Sequence, residues 1–432
     1  MDKVKTRFAP SPTGSLHIGG VRTALYAYLT AKHNNGTFAL RIEDTDRNRF
    51  VEGATEDIMD TLKWLGLNWD EGPIYQSERV NIYKKHAQEL VEKGLAYEQD
   101  GAIWFKTITE GKTSIVDLVG DRTIEFDNSI QSDFVILKSD GFPTYHLAHV
   151  VDDHFFETNP VVRGAEWISS IPKHVMLFQA FGWQVPQYAH LPIILGPDRS
   201  KLSKRHGAKA ASEFQKEGYL PEAILNYMAL LGWTPPSGKE MISVQEMEQE
   251  FDLKDVNASN PIFDIQKLEW MNGKYLRALS DELLTQKLQE FLVDHPAKEK
   301  IACLVPLVKE RISKLSDFIP LTNFIFEGPE YDVEVFKKLK LDEVSGGVKG
   351  VLEMVVEELE NLSSPWNAKD FEDTFRKLAE KLGISASSCF QLIRVAVSGQ
   401  LVTPPLFESI EIIGEEVTLK RIKDLVNIDL NI

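Results

Sequence analysis

Arg7-Phe8-Ala9-Pro10-Ser11-Pro12-Thr13-Gly14-Ser15-Leu16-His17-Ile18-Gly19-Gly20 decides how the first part of the chain folds. Upstream, Lys5 to Ala9 reads as a short strand. Downstream, Val21, Ala24, Leu25, Tyr28 and Leu29 recur at helical spacing on one face. A turn holding Pro10, Pro12 and Gly14 separates them, so the unit is strand, loop, helix. A helix that begins beside His17 turns its unpaired N–H groups and its positive dipole end toward the loop, an arrangement suited to phosphate. Gly19 and Gly20 leave the first turn without side chains, so a flat group can lie close to the backbone. His17 can donate a hydrogen bond to phosphate as charge moves during a reaction. Alone, His-Ile-Gly is a weak signal, because an ordinary strand–helix connection with a surface histidine carries the same letters.

Composition narrows the class. At 432 residues more than one domain is expected, and 43% hydrophobic residues suit a globular protein with true cores. No apolar run approaches the roughly 20 residues of a membrane span, and Met1-Asp2-Lys3-Val4-Lys5 is followed by no apolar region, so neither membrane nor signal peptide is expected. Cys303 and Cys389 are the only cysteines and lie far apart, which argues against a zinc cluster or a disulfide framework and for a cytoplasmic protein. The net charge of -17 disfavours a partner bound by charge alone. A local basic track, Arg199, Lys201, Lys204, Arg205 and Lys209, leaves room for an RNA chosen by shape and splayed bases.

Along the rest of the chain, Thr37 to Ile42 reads as a strand ending in Glu43-Asp44-Thr45-Asp46, at the mouth of an open α/β sheet. Glu43 there is either an acceptor for a substrate ammonium or part of a solvated acidic turn. Between about 95 and 143 the pattern changes to short β-type runs, among them 101–106, 123–126 and 134–137. Asp152-Asp153-His154 reads as strand, which sends alternate side chains to opposite faces and argues against a metal site. Val161 to Trp167 reads as a strand opening into a helix, with Arg163 at the strand end, where a guanidinium serves either a carboxylate or a surface ion pair. Tyr188 to Leu195 reads as a strand leading into a loop in which Lys201 and Lys204 supply compact cations for a leaving group. Pro221 opens a helix, Lys239 to Asn260 reads as a polar, acidic connection, and from 281 onward apolar stripes such as Leu352/Val355/Leu359 and Phe371/Phe375/Leu378 mark helices with buried faces.

Taken together, His17-Ile18-Gly19-Gly20 and Lys201-Leu202-Ser203-Lys204 resemble the paired signatures of class I aminoacyl-tRNA synthetases. Arg41-Ile42-Glu43-Asp44-Thr45-Asp46 and Thr144-Tyr145-His146-Leu147-Ala148 are similar to the glutamyl-tRNA synthetase branch, bacterial type, densely from residue 5 to about 280 and more thinly beyond. The resemblance implies an α/β fold. A Rossmann-type parallel-sheet catalytic domain (1–94 and 144–210) is interrupted by a short α+β acceptor-end-binding insertion (95–143). A stem-contact region (211–280) and an all-α anticodon-binding half (281–432) follow.

The activity implied is ATP-dependent ligation of glutamate to the 3′ end of tRNA through glutamyl-adenylate. His17, Lys201 and Lys204 would be catalytic, and ATP would meet Thr13, Gly14, His17, Gly19, Gly20, Lys201, Ser203 and Lys204. Glutamate would meet Arg7, Ala9, Ser11, Glu43, Tyr145, His149 and Arg163, with the two arginines toward its side-chain carboxylate. His149 stands where the family often has asparagine. Asp44, Arg47, Trp270 and Arg394 would contact tRNA. Mg²⁺ is implied with ATP, zinc is not, and a monomer is expected. Glutaminyl-tRNA synthetases look similar but generally lack an arginine at the position of Arg163 and end in β-barrels. Intact His17, Lys201 and Lys204 speak against a non-catalytic tRNA-binding paralogue. Discriminating members carry an arginine in the helical half that selects glutamate tRNA. None occurs from Gly350 through Phe375, where Glu357, Glu358 and Glu360 crowd instead, so glutamine tRNA is implied as a second substrate.

Overall fold

β1 (Lys5–Phe8), β2 (Thr37–Ile42) and β3 (Glu71–Tyr75) run parallel in the order β1-β2-β3. Every residue of β2 is buried, as befits a central strand covered on both faces. The computed structural model describes residues 3–207, 209–293, 295–339, 346–362 and 366–428, in two compact units, 1–272 and 273–432.

In the first unit α1 (Ile18–His33) links β1 to β2, and α2 (Ala54–Trp64) lies between β2 and β3. α3 (Val80–Glu92) precedes the segment 95–143. That segment supplies β4 (Ala96–Gln99), β5 (Ala102–Phe105), β6 (Lys112–Asp117), β7 (Arg122–Asp127) and β8 (Phe134–Leu137). Next come α4 (Tyr145–Phe155), β9 (Val161–Gly164), α5 (Ile171–Phe181) and β10 (Tyr188–Leu191). A second sheet has the order β7-β6-β10-β9, with β10 parallel to both β9 and β6. A third is antiparallel, β4-β5-β8.

The strands of 95–143 are thus shared between two sheets. Ile103, Phe105, Phe134 and Ile136 pack with Leu90, Leu147, Val151 and Phe178 in one core. The β6–β7 hairpin instead extends the sheet of β9 and β10, where Leu118 N–H donates to Tyr188 C=O at 2.9 Å. β1 and β9 approach edge to edge, tied by Arg7 Nη1 to Val162 C=O at 3.2 Å. The carboxyl ends of β1, β2, β9 and β10 therefore open on a common mouth, where α/β sheets bind ligands.

Three sequence expectations change. Asp152-Asp153-His154 lies on α4, not on a strand. Leu147, Ala148, Val150 and Val151 fall at i, i+1, i+3 and i+4, a helical spacing rather than alternation, and both aspartates are buried. The strand expected from Tyr188 to Leu195 ends at Leu191, because Pro192 has no N–H to offer a ladder. The connection from Lys239 to Asn260 contains a helix. After α6 (Ala211–Lys216) and α7 (Pro221–Leu230), α8 (Val244–Glu250) starts in a Ser243/Glu246 capping box and buries Met247. α9 (Ile265–Ala278) closes this part of the chain.

The second unit is helical: α10 (Asp281–Phe291), α11 (Ile301–Val308), α12 (Phe318–Phe326) and α13 (Val333–Lys337) come first. α14 (Gly347–Glu360), α15 (Ala368–Leu382), α16 (Ala386–Ser398), α17 (Leu406–Ile413) and α18 (Glu415–Val426) complete it. No helix among the described residues is long and apolar enough to cross a membrane. The Phe371/Phe375/Leu378 stripe of α15 is buried, and Phe375 meets Phe407 at 6.2 Å between ring centroids. Phe375→Ala should cost this unit about 3–5 kcal/mol. Urea unfolding followed by far-UV circular dichroism should show the helical unit's midpoint falling. An unchanged midpoint would mean that this stripe does not carry the core.

Candidate active site

A cavity of about 680 Å³ occupies the mouth. Arg7, Ala9, Ser11, Thr13, Gly14, His17, Gly19, Gly20, Glu43, Tyr145, Arg163 and Lys201, all singled out from sequence, line it together. His17 is the N-cap of α1, and its Nδ1 accepts from Gly20 N–H at 3.1 Å. The ring proton is then on Nε2, free to donate. Burial lowers the His17 pKa, nearby Glu166 opposes that and Lys201 adds to it, so the imidazole is a neutral donor. Gly14 holds a φ of +147°, which a side chain rarely adopts, and a Cβ there would meet nothing within 4 Å. The first-turn glycines line the cavity and are also tightly packed against neighbouring side chains. A Cβ on Gly20 would lie 2.6 Å from Leu16 Cδ1, and one on Gly19 would lie 3.1 Å from the His17 ring. Their missing side chains make room for the protein's own Leu16 and His17.

The opposite wall is a buried charge network. Asp153 accepts from Arg7 Nε at 3.0 Å and Nη2 at 3.2 Å, and from Arg41 Nη1 at 2.6 Å. Arg41 also donates to Glu43 at 3.0 Å. Burial raises the Glu43 pKa, while Arg41 and Arg7 pull against that rise. Behind them Asp152 accepts from Gln76, Arg79 and Tyr83 at 2.7–2.9 Å. Sequence alone assigns no role to Asp153 or to the Arg41 side chain, because their contact spans 112 residues and a strand over Asp152-Asp153 would turn the two aspartates to opposite faces.

Arg163 differs from these arginines. It is buried, yet among the described residues no carboxylate lies within ion-pair distance. Its partners are neutral acceptors: His190 Nε2 at 3.0 Å, His174 Nδ1 at 3.1 Å, Tyr145 Oη at 3.3 Å and Trp167 C=O at 3.4 Å. Tyr188 lies beneath, 5.0 Å from ring centroid to Cζ. Burial pushes the Tyr145 phenol pKa up. Because Tyr145 Oη accepts from Arg163, its own proton can serve a ligand. Burial first, then Arg163 for His149 and the His149 ring for His174, keeps both well below the usual histidine pKa. His146, 3.0 Å from His174, is held at about 4 mainly by burial.

Other expected residues lie elsewhere. His149 does not line the cavity. It stacks on Tyr145 and sits behind the arginines, 3.1 Å from Asp153 and 3.5 Å from Arg163. Ser203 is in the lysine loop, bonded to His206, and is not in the cavity lining. The side chain of Lys204 lies outside the described residues. Asp198 organises that loop by accepting from Ser200, His206 and Arg205. Asp44 caps the turn at Ser77, accepting at 2.8 and 2.6 Å. Arg47 is exposed over the Phe142 ring, Trp270 is 43% exposed on α9, and Arg394 on α16 is half-buried against Thr403.

A histidine at a helix N-cap and a lysine-bearing loop share this mouth of a parallel-stranded fold, and this part of the chain is a class I aminoacyl-tRNA synthetase catalytic domain. The family described as tRNA synthetases class I (E and Q), catalytic domain, matches residues 3–102 and 98–270, and an anticodon binding domain matches 283–426. The glutamate--tRNA ligase of Dehalococcoides mccartyi is 42% identical over 98% of this chain and 97% of its own length. Glutamate--tRNA ligase 1 of Caldanaerobacter subterraneus subsp. tengcongensis is 41% identical with the same coverage. A crystal structure of a glutamate tRNA ligase from Elizabethkingia meningosepticum, in complex with its amino acid, matches at a TM-score of 0.86 and 32% identity over 98% of this chain and 99% of that one. The chain belongs to the glutamate--tRNA ligase family.

Proposed function

We infer that the chain ligates L-glutamate to the 3′ end of glutamate tRNA in two steps at this cavity. An α-carboxylate oxygen of glutamate attacks the α-phosphorus of ATP, the bond to the bridging oxygen breaks, and pyrophosphate leaves. The 2′-hydroxyl of the terminal adenosine then attacks the acyl carbon and AMP leaves, with a substrate oxygen taking the proton. Catalysis is by positioning and charge stabilisation. The observation that carries this reading is Arg163. A buried guanidinium without a counter-charge costs several kcal/mol, and a ligand carboxylate supplies what is missing. Arg7 stands beside it, and Glu43 offers an acceptor toward the substrate ammonium.

His17 Nε2–H, the N-terminus of α1 and Lys201 and Lys204 are assigned to the phosphates, with Thr13, Gly14 and Ser203 nearby in sequence. The substrate is MgATP. Of the two carboxylates among the described residues lining the cavity, Glu43 and Glu166, the first is engaged by Arg41, which supports a Mg²⁺ held chiefly by phosphates and water. We assign Asp44, Arg47 and the segment 95–143 to the acceptor end, Trp270 to the stem and Arg394 to the anticodon side, with a cytoplasmic monomer as the working form. Incubation with glutamate, ATP and tRNA should yield tRNA carrying glutamate as a base-labile 3′ ester, read by mass spectrometry of the terminal nucleoside. Glutamine in that ester would overturn the reading.

The absence of an arginine from Gly350 through Phe375 supports weak discrimination between glutamate and glutamine tRNAs. Residues 363–365 of that stretch lie outside the described ones. Glu360 is taken by Lys423 at 2.5 Å, and Glu358 faces Lys381 at 3.9 Å. Aminoacylation of the two unmodified tRNAs should give kcat/KM values within about a hundredfold, or roughly 3 kcal/mol. A larger ratio would assign discrimination to another residue.

A further inference from the structure

We propose that Asp117, on the β6–β7 hairpin, fixes the tautomer of His190 and through it the orientation of Arg163. Asp117 and His190 are then positioning residues for the substrate's side-chain carboxylate. The proposal rests on the reading that Arg163 receives that carboxylate.

Arg163 Nε carries one proton and can only donate. Its partner, His190 Nε2 at 3.0 Å, must therefore present a lone pair. The proton of the neutral ring then sits on Nδ1, which donates to Asp117 Oδ2 at 2.7 Å. Burial, the foremost influence, depresses the His190 pKa and so favours that neutral ring. The other carboxylate oxygen of Asp117 is committed, because Oδ1 accepts the backbone N–H of His190 at 3.1 Å and of Val119 at 3.0 Å. Arg122 comes only to 4.0 Å of Oδ2. The side chains of Asp117 and His190 are fully buried, and neither residue lines the cavity. They can act on substrate only through Arg163.

The Nε contact matters because a guanidinium is planar. Fixing Nε, together with the Nη1 contacts to His174 and Tyr145, defines the plane in which the fork meets a carboxylate. β9 and β10 place His190 opposite Arg163 in register, and the single β10–β6 pair, Tyr188 with Asp117, brings the last residue of β6 to the His190 ring. The segment 95–143 thus contributes to amino acid selection from within the sheet, one strand beyond His190.

Asp117→Asn is nearly isosteric and inverts the arrangement. Two backbone N–H groups hold the amide oxygen at the Oδ1 position, so the NH₂ group faces His190 Nδ1. That nitrogen becomes an acceptor, the ring proton moves to Nε2, and two donors meet at Arg163 Nε. The expected result is a KM for glutamate raised about 10- to 100-fold, the usual range for a buried donor left without an acceptor. The KM for ATP and kcat should stay within about threefold of the parent, because neither depends on the Arg163 fork.

The test combines ¹⁵N NMR of the histidine rings with steady-state kinetics on the full chain. In the parent, His190 should be the Nδ1–H tautomer, and in Asp117→Asn the Nε2–H tautomer. His190→Gln keeps one donor and one acceptor and should hold the KM for glutamate about tenfold closer to the parent than His190→Leu does. An Nε2–H tautomer in the parent overturns the proposal, as does an unchanged KM for glutamate in Asp117→Asn. Should Asp117→Asn fail to fold, equal KM values for His190→Gln and His190→Leu overturn it. Arg163→Ala separates the two levels. If it leaves the KM for glutamate unchanged, the carboxylate reading itself fails. If it raises that KM while Asp117→Asn does not, only the positioning role fails.

Discussion

Arg163→Ala is expected to raise the KM for glutamate by about 10²-fold or more and to narrow its advantage over glutamine. Removing one partner from a desolvated charge pair costs about 2–5 kcal/mol, and each 1.4 kcal/mol is tenfold. The effect should fall on glutamate more than on glutamine. Arg163 in the parent presents charge and Nη donors, held by His190, His174 and Tyr145, which match a carboxylate and leave a neutral amide with donors facing its NH₂. Steady-state kinetics with both amino acids would check this. An unchanged preference for glutamate would move the pocket away from Arg163.

His17→Ala is expected to lower the rate of adenylate formation by about 10²- to 10³-fold, the cost of losing one donor to developing charge. Because His17 also caps α1 through Gly20 N–H, the same change should cost about 1 kcal/mol of stability. His17→Asn separates the two roles, since asparagine is a good N-cap but does not place a donor where Nε2 lies. It should restore the melting temperature and leave most of the rate loss. Single-turnover adenylate formation and calorimetry read the two quantities. A rate near the parent's in His17→Ala would remove His17 from the phosphate site. Lys204→Ala, on the same reasoning, should lose about 10²-fold.

What the sequence disclosed follows from the range of the interactions. β1, α1 and β2 were legible because strand, turn and helix signals are local, and β2 falls on the expected residues. The cavity wall from Arg7 to Gly20 came with them. The Ser243-to-Glu246 capping box was also local, and it announces α8 although the surrounding acidic residues suggest a loop. What could not be read is what joins distant segments. Arg7 meets Asp153 across 146 residues, and His190 meets Asp117 across 73. Neither contact has a periodic signature. Asp153 faces inward because α4 is a helix, the period that Leu147, Ala148, Val150 and Val151 carry. His149 was recognisable as a departure from the family, but its place behind Arg7 and Arg163 required the fold.

The central claim is that this cavity activates glutamate with ATP, its side-chain carboxylate received by Arg163. ATP–pyrophosphate exchange by the purified chain, run with glutamate or glutamine and in both cases with and without glutamate tRNA, tests it most directly. Glutamate should support exchange in at least one of its two arms, and glutamine should support little in either. Exchange absent with glutamate even in the presence of tRNA, or equally fast with glutamine, would contradict the account.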